Sequence, residues 1–195
     1  MKNWTQWVIS ILMIAASTAV GYAKSGEATG KMPTDKAFLD KVSQINLAEV
    51  ELGKLAEKKG GNDAVKQFGK LMVSDHSNGE KAANELAGGL KVTIPEKPGK
   101  DAVELKAQLS RMHGSQFDED YIHHMVAGHN GAIAMIENEI ENGQNPRIKG
   151  FAEEILPIIQ DHLRVAENVA GKMGLSGKEG LSQPDNAIEA PASPK

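Results

Sequence analysis

A chain of 195 residues, 40% apolar and 25% charged, suits one globular domain with short extensions. Its formal charge of −4 becomes −5 once residues 1–23, whose single charge is Lys2, are set aside, so it lacks the basic footprint of a nucleic-acid or anionic-lipid binder. The absence of cysteine excludes disulfides, zinc–thiolate and iron–sulfur sites, thiol catalysis, c-type haem attachment and a bacterial lipoprotein anchor.

Residues 1–23 read as a secretory signal peptide. Lys2 supplies the positive start, and Val8 to Val20 is apolar apart from Ser10, Ser17 and Thr18. Gly21 and Ala23 place small residues at positions −3 and −1 of a cleavage site after Ala23. A membrane-spanning helix needs about 20 apolar residues, more than this core provides. The expectation is a periplasmic or secreted protein. Both tryptophans and Tyr22 fall in this segment, which leaves Tyr121 as the mature chain's single tyrosine and argues against base or sugar stacking.

Residues 24–33 read as a small, polar linker and 34–173 as one four-helix domain. The first helix begins at Thr34, carries the stripe Phe38, Val42, Ile45, Leu52, Ala56, and ends at Gly60-Gly61. Asn62 caps a second helix with the stripe Val65, Phe68, Met72, Gly79, Ala83, Leu86, Leu90, which Gly88-Gly89, Pro95 and Pro98 are expected to stop. From Lys91 to Gly114 runs a long crossover with a minor helical stretch at Val103–Met112. Ser115-x-x-Asp118 resembles a capping box at the start of the third long helix, whose stripe is Phe117, Tyr121, Met125, Gly128, Ala132, Ile136, Ile140. After Gly143, Asn145-Pro146 opens the fourth, which buries Ile148, Phe151, Ile155, Ile159, Leu163, Ala166, Val169 and Met173 and contains Pro157. Residues 174–195 read as a disordered tail. Two tight hairpins joined by one long crossover give an all-α, ferritin-like four-helix bundle.

Each stripe is interrupted by an ionisable residue at a core-facing position. These are Glu49 in the first helix, His76 in the second, His129 in the third and His162 in the fourth. Three imidazoles and a carboxylate form a ligand set for one zinc, copper or iron ion. Asp75 and Asp161 adjoin two of the histidines and are placed to orient rings. Met72 and Met125 lie one turn before two of them and would suit Cu(I) if sulfur joined the site.

The competing reading is a hydrogen-bonded polar layer in a structural or interaction domain of the cell envelope, with an envelope protein as partner and no metal. The residues three before His76, His129 and His162 are Val73, Val126 and Ile159, so the di-iron Glu-x-x-His signature is missing. No Ser–His–Asp set or phosphate-binding glycine loop occurs, and a catalytic reading would need an open metal position with a cleft leading to it. Asp120-x-x-His123 reads as a solvated helix face, and His113, His123 and His124 have no consistent partners.

The stretches 49–56 (EVELGKLA), 72–76 (MVSDH), 117–121 (FDEDY) and 156–163 (LPIIQDHL) together resemble the domain-of-unknown-function family 4142. The resemblance runs from Thr34 to Met173 and implies an exported bacterial protein with a ferritin-like four-helix domain. The family's recurring positions fall on Glu49, His76, Phe117-Asp118, His129 and His162. Gly128 departs from the pattern, since many members carry an acidic residue there. His129 with Ala132 to Met135 is similar to the histidine helix of family 305. The resemblance implies no established activity.

Overall fold

The computed structural model describes residues 32–175, so the expected signal peptide and nearly all of the expected tail lie outside the described residues. Five helices follow one another: α1 Met32–Lys59, α2 Asp63–Leu90, α3 Lys100–Leu109, α4 Gly114–Asn142 and α5 Pro146–Lys172. The fold is all-α. α1 starts two residues before Thr34, which places Pro33 in the first turn, where a missing N–H removes no helical bond.

Side chains cap the starts of α2 and α5. Asn62 accepts the Ala64 N–H at 2.8 Å, and Asn145 accepts those of Arg147 (3.0 Å) and Ile148 (3.4 Å) ahead of Pro146. α2 passes through Gly88-Gly89 and ends at Leu90, followed by Lys91 in a left-handed conformation (φ 58°). The Val92 N–H then bonds the Ala87 carbonyl at 3.0 Å, closing a Schellman turn. Gly89 instead makes room for Arg147, whose guanidinium donates to the Gly89 carbonyl at 3.0 Å.

The expected capping box of α4 does not form. α4 has no side-chain cap, and the Asp118 carboxylate crosses to the turn between α1 and α2. There it accepts the N–H groups of Gly61 (3.0 and 3.1 Å) and Asn62 (2.8 Å). Asp118 is buried, and the two backbone donors of the tight turn satisfy both of its oxygens there. Asp35, in the first turn of α1, does the same for the turn between α4 and α5, accepting from Gln144 (2.9 Å) and Asn145 (3.0 Å). Each hairpin thus ties down the other's turn.

α1 packs along α2 and α4 along α5, while α1 also meets α4 and α2 meets α5. α4 begins beside the end of α1, where Gly60 and Gly114 pair backbone to backbone. α2 and α4 therefore run in the same direction, as the long connection between them allows. α3 lies along the outside, held to α1 by an ion pair of Lys106 with Glu51 at 2.9 Å. The interior holds two apolar clusters. One gathers around Phe68, Met72, Phe117, Tyr121 and Met125, the other around Phe38, Leu39, Ile136, Ile148 and Phe151. A layer of buried polar residues lies between them: Asn46, Glu49, His76, His129 and His162. Among the described residues, no helix is long and apolar enough to cross a membrane.

Candidate metal centre

Three of the four stripe interruptions meet at one point. His76 comes from α2, His129 from α4 and His162 from α5, each only 2% exposed. One nitrogen from each ring lies within 4.8 Å of the other two, and the ring centres stand 5.2 to 6.0 Å apart. Among the described residues this is the one group of three or more histidine or acidic side chains so placed.

Each ring is held from behind by an oxygen. His129 Nδ1 donates to the Met125 carbonyl at 2.8 Å, His162 Nε2 to Asp75 Oδ2 at 3.1 Å, and His76 Nδ1 to Asn46 Oδ1 at 2.9 Å. A carbonyl and a carboxylate only accept, so these bonds place a proton on the outer nitrogens of His129 and His162, and a neutral ring so bonded turns a bare lone pair inward. The inner nitrogens, His76 Nε2, His129 Nε2 and His162 Nδ1, are buried without a partner. Desolvation lowers the pKa of His129 to about 4, with the nearby His162 acting in the same direction against the Met125 bond. His76 is lowered well below the usual imidazole range, first by burial and then by His129 and His162. Both rings are neutral at pH 7, the state in which imidazole ligates metal.

Glu49 stands apart from the three nitrogens. It is buried in α1, and desolvation pushes its pKa up to about 8. Its Oε2 has no partner. Together with His76, His129 and Gly128 it lines a cavity of about 10 Å³, which is close to the volume swept by one water probe. The Tyr121 hydroxyl is also buried and unpartnered, and its pKa is raised well above the ordinary value by burial and then by the nearby Glu49.

The remaining expected residues divide. Asp75 reaches His162 rather than its neighbour His76. Asp161 is exposed and pairs with Arg164, so it orients no ring of the centre. Adjacent residues on a helix point about 100° apart, and burying His162 turns Asp161 outward. Met72 and Met125 pack in the apolar cluster beside the site, and Met125 serves His129 through its carbonyl. Gly128, placed on the apolar stripe by its spacing, is exposed, with open space where a Cβ would stand. His123 and His124 lie edge to face, 5.6 Å apart, outside the group of three. Asn46 escaped the sequence reading, although it follows Val42 by four and precedes Glu49 by three, on the buried side of α1.

Comparison with known proteins bears on the fold and the family. A crystal structure of a Streptomyces coelicolor protein described as secreted and as DUF305 matches with a TM-score of 0.62 and 15% identity, over 72% of this chain and 92% of that one. At that identity the likeness concerns the fold. No curated protein matches the sequence. The model of the family "Domain of unknown function (DUF4142)" matches residues 21–169, and the chain belongs to that family.

Proposed function

We propose that this is an exported protein with a ferritin-like bundle that binds one transition-metal ion between His76, His129 and His162, and that it buffers or carries the metal rather than transforming a substrate. One observation carries the reading: three buried ring nitrogens from three helices, none with a hydrogen-bond partner, face one another. A buried polar atom left unpaired costs about 1–3 kcal/mol, and neutral imidazole nitrogens that only accept cannot satisfy each other. A cation satisfies all three at once. Bonds of about 2.0–2.1 Å to zinc put tetrahedral ligand atoms about 3.4 Å apart, so the rings would close inward by roughly an ångström on loading. An all-imidazole set suits Zn(II) or Cu(II), with Fe(II) weaker. Glu49 or a water in the small cavity would take the fourth position. Export is supported by the signal-like residues 1–23 and by the fold shared with a protein described as secreted.

The competing polar-layer reading draws on Glu49. Its raised pKa leaves it largely protonated at neutral pH, and its O–H could donate toward a histidine through a water in the cavity. Calorimetric titration of the untagged protein with Zn(II), Cu(II) and Fe(II) separates the two. One tightly bound equivalent is expected, abolished in His76→Ala, His129→Ala and His162→Ala while circular dichroism stays helical. Absence of binding, or binding that survives all three substitutions, overturns the metal reading in favour of the polar layer.

A further inference from the structure

The centre is not equally accessible from its two sides. Toward α1 and α4 the free space is the cavity of about 10 Å³ beside Glu49 and Gly128. Toward α2 and α5 a depression of about 340 Å³ opens at the surface, lined by Asp75, Pro157, Ile158, Asp161 and His162. A divalent ion with six waters needs about 180 Å³ at roughly 30 Å³ per water. The depression accommodates that hydrated ion and the cavity does not.

His162 is the wall between the depression and the centre. Its Nε2 bonds Asp75 at the edge of the depression, and its Nδ1 is buried, unpartnered and set among the other two rings. The mouth carries two carboxylates, Asp75 and Asp161, with Arg164 paired to the latter. Ile158, at 47% exposure, is one of only two large exposed hydrophobic residues in the described chain. Pro157 has no N–H to give the carbonyl four residues back, so α5 is locally easier to bend at this wall.

We infer that the metal ion enters and leaves through this depression, with His162 as the ligand that swings and Asp75 as the latch that holds it closed. The inference rests on the metal reading above. A hydrated cation is drawn to the carboxylates at the mouth. His162 parts from Asp75, turns outward, exchanges a water of the ion for its ring nitrogen, and returns to deliver the ion to His76 and His129. The bond to Asp75 then re-forms and holds the ring in place.

Because Kd is the ratio of release to loading rates, obstructing the route slows both equally and leaves affinity untouched. Stopped-flow loading with Zn(II), and release to an excess of chromophoric chelator, are the measurements, with Kd determined in parallel. Ile158→Trp, which narrows the mouth, is expected to slow loading and release together by about tenfold, as gating steps do, at an unchanged Kd. Asp161→Asn is expected to slow loading by about threefold and flatten its salt dependence. Val103→Trp, which adds the same bulk at the other large exposed hydrophobic residue, on α3, is expected to load at the wild-type rate. Wild-type rates in both mouth variants, or equal slowing by Val103→Trp, overturn the route while leaving the metal reading intact. A wild-type protein that holds no ion at equilibrium overturns both.

Discussion

Glu49 is the one carboxyl of the polar layer, and burial rather than a charged partner sets its protonation. Raising its pKa from 4.5 to about 8 means that the native state keeps a proton that the unfolded chain gives up. Between these two values the native state binds more protons, so this group's contribution to stability falls as pH rises through the window. The limiting slope for one proton is about 1.4 kcal/mol per pH unit. His76 and His129 are lowered and act in the opposite sense, gaining stability as pH rises toward 6.5. They are common to the wild type and to Glu49→Gln. Urea unfolding of the two metal-free proteins at pH 5.5, 6.5 and 7.5 should therefore show the glutamine variant gaining on the wild type at each step. Parallel curves would mean that Glu49 is ionised in the folded protein. The three histidines were legible in the sequence because an imidazole on an apolar stripe is conspicuous. Asn46 was not, because Ile45 beside it filled the stripe, and an asparagine shows its part only when the ring it orients is in view. Asp161 misled for the reason of helix geometry already given, whereas Asp75 acts across to α5, a contact that no spacing within α2 encodes.

The helices owe their ends to long-range contacts as much as to their own caps. Asn62 and Asn145 were readable because an N-cap bonds within its own turn. Asp118 was misassigned because its three bonds go to a turn 56 and 57 residues away. Sequence pattern alone cannot separate a local capping box from a carboxylate aimed across the bundle, since both put an acidic residue near the helix start. Their energies differ. Asp118 is buried, and removing it leaves the Gly61 and Asn62 donors unpaired as well as erasing charge-assisted bonds. Asp118→Ala is accordingly expected to cost about 3 kcal/mol. Ser115→Ala, at an exposed position in a helix with no side-chain cap, should lie within about 0.5 kcal/mol of wild type. Chemical denaturation of the two variants tests the assignment. A larger loss in the serine variant would restore the capping box.

At the scale of the whole molecule, the two hairpins share a plan that explains the composition of the centre. Asp35 and Asp118 stand near the starts of α1 and α4, and each closes the opposite hairpin's turn. Eleven residues after each comes a residue facing the polar layer, Asn46 in one case and His129 in the other. One position adds its ring to the group of three and its counterpart orients His76, so three imidazoles rather than four converge. The bundle's connectivity could be anticipated from loop lengths, because short turns force antiparallel neighbours and the long crossover frees α4 to run with α2. This plan also bears on whether metal is needed for folding. Each apolar cluster contains aromatic and aliphatic side chains from both hairpins, and neither depends on the layer between them. The metal-free protein should therefore remain folded, unlike a small zinc domain whose core is the metal. Loading should add to existing stability by mass action, about 2.7 kcal/mol at a free ion concentration of one hundred times Kd. For a domain of this size that corresponds to a rise in Tm of about 5–10 °C. Thermal melts with a chelator and with Zn(II) should give two cooperative transitions separated by that interval, with the same far-ultraviolet signal at 25 °C. Loss of helix in the chelator sample would make the centre the keystone of the fold. Coincident melts would mean that the ion does not bind the native state in preference to the unfolded chain.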